Sequence, residues 1–272
     1  GTEHVAPFSC YRCPYGYPDL NGEAQLEICQ TTCASFVRYV LEKEGDVAAV
    51  IAEPARAVPY IPPPGYWQMV RQACNDHGAL LIFDEVPTGL GKTGKMFACE
   101  HDDVVPDILV LGKALGGGIL PIAAVLAKSE LDVAGEFAFG HYTHEKNPVT
   151  AKAALTTIEI IEQEGLVENA AELGKYMLEQ LNLLKAKHST IGDVRGRGLL
   201  VGVELVLNQE EKTPANDLAE DVLYRCLSKG LSFKLTMGNV MTLTPPLIIK
   251  KAQIDLSLEI IDQSLSEAEQ AL

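Results

Sequence analysis

The sequence predicts an α/β chain: a mostly parallel sheet with flanking helices over residues 1–164, then a small α+β part over 165–272. Three observations carry this. Short continuous apolar runs, Val47–Ile51, Leu80–Phe83 and Ile108–Leu111, the first two separated by a helical stretch, are as expected of strands covered on both faces. Two of them run out into chemistry-bearing residues, Asp84-Glu85 and Lys113, where open α/β sheets place their ligands. Beyond 165, long amphipathic helices enclose short strands, an α+β pattern.

Taken in order, residues 1–25 are irregular, punctuated by Pro7, Pro14, Gly16, Pro18 and Gly22. Residues 26–44 predict one helix with Phe36, Val37, Val40 and Leu41 on its apolar side, ended by Gly45. The strand Val47–Ile51 leads into Glu53-Pro54, and five prolines stiffen 54–64. A helix over 65–77 carries Trp67, Val70 and Cys74 on one face and stops at Gly78. The loop Pro87–Gly94 is glycine-rich like a phosphate cradle, but it lacks the G-x-x-x-x-G-K-[ST] spacing, so no separate nucleotide site is expected. Ile122–Leu126 reads as a further strand, and 139–148 as a polar loop. Helices follow over Val149–Glu164 and Leu166–Lys187, then a tight glycine-rich turn, Ile191–Gly198. Leu199–Leu205 alternates as a half-buried strand, 216–229 is helical, and 231–235 and 240–243 are short strands. Ile254, Leu258, Ile261 and Leu265 line a last amphipathic helix.

The 272 residues carry a net charge of −15, which argues against a nucleic-acid partner, since phosphate neutralisation needs clustered Lys and Arg. No apolar run reaches the ~20 residues that span a bilayer, and no basic-then-apolar leader is visible, so a soluble cytoplasmic protein is expected. Of seven cysteines, Cys10, Cys13, Cys29 and Cys33 are spaced C-x2-C and C-x3-C. That spacing could ligate zinc; free thiols in an irregular region are the plainer reading, and no metal is expected.

Lys113 is the residue that invites chemistry. Lysine forms a Schiff base with an aldehyde cofactor, and a carboxylate at a neighbouring strand end, Asp84, suits the protonated nitrogen of a pyridine ring. The plain alternative is a surface lysine after an ordinary strand.

Several segments together go further: Ile61-Pro-Pro-Pro-Gly-Tyr66, His77-Gly-Ala-Leu-Leu-Ile-Phe-Asp-Glu-Val86, Val105-Pro-Asp-Ile-Leu109, Leu111-Gly-Lys-Ala-Leu-Gly-Gly-Gly118, Asn147-Pro148, Leu166–Ala171, Ile191–Gly198 and Thr244-Pro-Pro-Leu247. The sequence resembles the class III aminotransferases, fold type I enzymes that use pyridoxal 5'-phosphate (PLP). The resemblance runs through nearly the whole chain and implies only the C-terminal two-thirds of such an enzyme. It implies a PLP-dependent transferase fold of type I: a partial large domain (1–164, the second half of the cofactor-binding domain) and a small C-terminal domain (165–272).

Carried over residue by residue, Lys113 would be the Schiff-base lysine and the acid/base that moves the substrate's proton. Asp84 would pair with the pyridine N–H, Val86 would pack on the ring, and Thr143 would reach the cofactor phosphate of a neighbouring subunit. Glu53 would lie on the substrate side of the cofactor, with a helix-cap or salt-bridge acid as the alternative. The implied partners are small-molecule amines and oxo acids and a second copy of the chain, with shared active sites and no membrane. Two departures stand out. Pro87 occupies a position where the family usually has a glutamine facing the cofactor, and Thr242 one where many members have an arginine for the substrate carboxylate. Aminotransferase activity is therefore expected, with a PLP-dependent lyase or racemase, or a non-catalytic fragment lacking the phosphate-binding half, as alternatives.

Overall fold

The computed structural model describes residues 1–19, 23–137, 143 and 145–271. The chain forms two compact units. The first comprises Gly1–Ala55, Pro62–Leu90 and Met96–Glu164; the second comprises Arg56–Ile61, Gly91–Lys95 and Gly165–Leu272.

The first unit is built on a four-stranded sheet in the order β1 (Ala49–Ala52), β2 (Leu80–Asp84), β3 (Ile108–Leu111), β4 (Ala124–Ala127). β1, β2 and β3 are parallel, in a register that aligns Ala52 with Phe83 and Asp84 with Val110. β4 runs antiparallel to β3, because residues 112–123 hold only a short 3-10 turn where a parallel return needs a crossover helix. The long helix expected over 26–44 is two, α1 (Glu23–Cys29) and α2 (Thr32–Glu44). Gln30 and Thr31 between them take left-handed backbone, φ 44° and 52°, which no α-helix continues through.

α3 (Tyr66–His77) lays Trp67 into the core of this unit. Its ring meets Phe83 edge-on at 4.7 Å and Phe8 at 5.8 Å, and its indole N–H donates to the Pro54 carbonyl at 2.8 Å. The irregular N-terminal segment is thus anchored by an aromatic contact. Asp107, just before β3, fastens three elements. Its Oδ2 accepts from the Leu81 N–H and from Arg71, both at 2.7 Å, and its Oδ1 from Lys128 at 2.6 Å. Burial pushes this carboxyl up, but those donors outweigh it and hold it down at about 2. α4 (Pro148–Gln163) starts on Asn147, whose Oδ1 accepts from the Val149 N–H, and lies against the glycine run after Lys113.

The second unit has an antiparallel sheet ordered β5 (Ile191–Arg197), β6 (Leu200–Asn208), β9 (Val240–Leu243), β8 (Lys234–Thr236), with β7 (Thr213–Pro214) beside β6. α5 (Leu166–Lys187), α6 (Asn216–Ser228) and α7 (Lys251–Glu269) share its core, where Leu181, Val201, Val203, Met241, Ile261 and Leu265 are all but fully buried. Buried His188 joins two of these helices, with Nδ1 2.8 Å from Glu269 and Nε2 2.6 Å from Asp262.

The stretch 191–198, expected as a tight turn, is mostly a strand paired with β6 from Ile191–Leu205 to Arg197–Leu200. Its last glycine serves close approach: Gly198, at φ +53°, lies so near Gly174 of α5 that a Cβ on Gly174 would be 2.2 Å from the Gly198 carbonyl.

One expectation about fold class is corrected. The chain is not a partial large domain followed by a separate small one. Residues 56–61 and 91–95, from the earlier part of the sequence, are built into the second unit: Arg195 donates to the Pro59 carbonyl and stacks 4.4 Å over Tyr60, while the Leu199 N–H donates to the Lys92 carbonyl. The sheet of the first unit is mixed, with β4 against the parallel direction.

Candidate active site

The parallel strands of the first unit deliver three of the expected residues to one edge of the sheet. Glu53 is the first residue past β1, Asp84 the last of β2, and Lys113 lies two residues past β3. Because Ala52 aligns with Phe83 and Asp84 with Val110, all three leave the carboxyl ends of adjacent strands.

Lys113 is exposed and has no hydrogen bond or ion pair among the described residues. Its backbone is left-handed, φ 42°, directly after an extended Gly112. The chain therefore turns sharply at the lysine and enters a short 3-10 turn, Lys113–Gly116. Gly117 follows at φ +67° with Thr157 of α4 3.1 Å from where a Cβ would lie, so the helix seats on the backbone itself.

Asp84 is half-buried. Its Oδ1 accepts from the Val86 N–H at 3.0 Å, and its Oδ2 has no hydrogen-bond partner among the described residues. Val86 lies against Gly112: a Cβ on that glycine would be 3.3 Å from Val86 Cγ1. An apolar side chain and a carboxylate thus sit beside the turn that carries the lysine. Glu53 is half-buried and bonded within the structure. Thr143 lies exposed in a turn; residues 138–142 and 144 of the same polar loop are outside the described residues.

Glu85 is the buried partner of the acid pair, about 1% exposed. Its Oε2 accepts from the Ala98 N–H at 2.6 Å and its Oε1 from the Cys99 N–H at 2.8 Å, with the Thr88 hydroxyl at 3.4 Å. Burial raises its acid above the usual carboxylate range against the pull of these donors. Nearby Cys99 is raised to about 12, by its own burial first and then by this carboxylate. The sequence signal for such a residue was present in the two consecutive acids at a strand end. Alternation along the strand turns them to opposite sides, one open and one inward.

Pro87 follows in a turn. In the second unit Thr242 is buried on β9, and its hydroxyl pairs with that of Thr236 on β8 at 2.8 Å. Cys10, Cys13, Cys29 and Cys33 are free and half-buried, and burial first, then the neighbouring thiols, raises Cys10 and Cys33 to about 11. Among the described residues no three His, Cys, Asp or Glu side chains gather to bind a metal.

Comparison with known proteins fixes the family. The aminotransferase class-III profile matches residues 3–265. The chain belongs to the class-III aminotransferase family. An (R)-1-hydroxy-2-aminoethylphosphonate ammonia-lyase of Vibrio splendidus is 41% identical over 98% of this chain and 57% of its own length. A leucine/methionine racemase of Thermococcus litoralis is 39% identical over 98% of this chain and 60% of its own length. A Bacillus anthracis aminotransferase structure superposes with a TM-score of 0.88 at 36% identity, over 97% of this chain and 61% of its own. The chain thus spans about three-fifths of the length of these relatives. The expected restriction to a C-terminal two-thirds match is corrected by the same findings. The family match runs through nearly the whole chain, and one class-III fold accounts for both units.

Class-III membership brings PLP as the cofactor. The residues present fit it: an exposed, unpartnered amine at Lys113, an open carboxylate oxygen at Asp84, and apolar Val86 between them in the chain, against the lysine's own turn.

Proposed function

We propose that this chain serves a PLP-dependent aminotransferase acting on a small amine or amino acid, with an oxo acid as acceptor. The observation that carries the reading is the delivery of an unpartnered Lys113 and an open Asp84 to one sheet edge. Lys113 would hold the cofactor and Asp84 would face its ring nitrogen; when bound, the cofactor supplies an aldehyde for the amine and an electron-withdrawing ring. The Lys113 amine, once released by the incoming substrate amine, would take up the proton of the substrate carbon and hold it for return. Asp84 keeps a proton on the ring nitrogen through its carboxylate. Val86 excludes water from one side of the ring, and Glu53 borders the substrate. Thr143 donates to the cofactor phosphate of a second copy, which makes the working form a homodimer. Seven unpaired cysteines support a reducing, cytoplasmic setting.

The test is transfer itself. Protein supplied with PLP, an amine donor and an oxo acid should yield the corresponding amino acid, followed by chromatography. Absence of the visible band of lysine-bound cofactor in the wild-type protein would sink the reading.

Elimination or racemisation is favoured by a separate observation. At Thr242 a hydroxyl is bonded to Thr236, and a threonine cannot grip a carboxylate in the two-pronged, charged way of an arginine. The ammonia-lyase and the racemase among the relatives point the same way. Ammonia release, or inversion of a chiral substrate with no acceptor added, would select this reading over transfer.

A further inference from the structure

Glu85 takes part in no step above, yet it is the most deeply buried acid at the site's edge. Its two oxygens satisfy the first amides of the short helix 98–102, which have no partners within that helix. Its own backbone is equally committed. The Glu85 N–H donates to the Val110 carbonyl of β3 at 2.9 Å, and its carbonyl accepts from Gly89 at 2.9 Å and Thr88 at 3.3 Å. One residue therefore pins the end of β2, the end of β3 and the turn 86–89 to the helix behind them. The Asp84–Val86 hydrogen bond lies inside that pinned turn.

We infer that Glu85 is a positioning residue: through the 98–102 helix it holds the turn whose Val86 N–H fixes Asp84 Oδ1, leaving Oδ2 aimed for a cationic ring nitrogen. The inference rests on reading Asp84 as that nitrogen's partner. With glutamine at 85 one acceptor oxygen is left for the two amides of Ala98 and Cys99, and with aspartate both oxygens are drawn back by one methylene, so the turn is free to shift. The open oxygen of Asp84 then has no set direction. A shift of about 1 Å at such a group is enough to weaken a charge-assisted hydrogen bond.

The test compares wild type, Glu85→Gln and Glu85→Asp, with Asp107→Asn as a control that loosens the start of β2 instead of its end. Amide hydrogen exchange on the cofactor-free protein should quicken at Ala98 and Cys99 and also at Val86 in both Glu85 variants, more mildly in Glu85→Asp, which keeps the charge. In Asp107→Asn the Val86 amide should stay protected. PLP affinity should fall about tenfold in Glu85→Gln, the equivalent of one charged hydrogen bond. The pH titration of the visible cofactor band should shift as well, in the same direction as in Asp84→Asn. Faster exchange at Ala98 and Cys99 with Val86 protection, PLP affinity and band titration all unchanged would overturn the inference, leaving Glu85 a helix cap alone. The exchange measurement needs no cofactor. Failure of the function reading, seen as a missing band in the wild type, is thereby distinguishable from failure of this one.

Discussion

At the level of single residues, Lys113, the lysine of the proposed site, is held under backbone strain. At φ 42° an L side chain costs about 1 kcal/mol. Lys113→Ala should abolish the visible band of bound cofactor and lower turnover by about 10²–10⁴-fold, the usual share of a positioned acid/base. Lys113→Gly should be equally inactive but more stable than Lys113→Ala by about 1 kcal/mol, because glycine alone accepts that backbone without penalty. Equal melting temperatures for the two variants would contradict this. Asp107 supplies the pH dependence. Its folded value of about 2 lies below the ordinary 3.8, so its contribution is full above 3.8 and fades as pH falls through about 2. Asp107→Asn should cost about 2 kcal/mol at neutral pH, and the gap to wild type in denaturant melts should close below about pH 2. Lys113 and Asp84 stand out in the sequence because each comes at or just past the end of an apolar run. Alternation sets Asp84 and Glu85 on opposite sides, but which of them turns inward was not readable, since that depends on the helix 98–102 that claims Glu85 from beyond an intervening loop.

Between elements, close approach sets the limits. α5 meets the end of β5 where Gly174 faces Gly198, with no room for a methyl group on either. Gly174→Ala should destabilise by about 3 kcal/mol or more, because the obstructing atoms are backbone and cannot rotate away. A denaturant midpoint within error of wild type would refute that packing. The same region shows where pattern reading fails. Three glycines in 191–198 suggest a turn, yet Gly192 and Gly196 sit in a paired strand. Gly196 is needed there because a side chain would press within 2.5 Å of the Leu200 carbonyl. Conversely, one helix was expected over 26–44, on the apolar side formed by Phe36, Val37, Val40 and Leu41. Local left-handed backbone at Gln30 and Thr31 is invisible to periodicity.

For the whole molecule, the proposed homodimer puts Thr143 at a neighbour's cofactor. Thr143→Ala should weaken PLP affinity by about tenfold while leaving the monomer's melting temperature unchanged, and sedimentation should show a dimer at working concentrations. A monomeric protein with full PLP affinity would remove Thr143 from the site. Sequence by itself located the strands β1, β2 and β3, and the lysine and the carboxylate that stand at the ends of two of them. These follow from local hydrophobic period and residue chemistry, which the chain carries in every few residues. Tertiary structure alone decided the parallel register that sets Asp84 beside Val110, the antiparallel return of β4, and the building of 56–61 and 91–95 into the second unit. It also decided that Glu85 turns inward to hold what Asp84 presents. Each of those depends on hydrogen bonds and burial between residues more than a dozen positions apart, and no local pattern encodes which distant partner will satisfy a buried polar group.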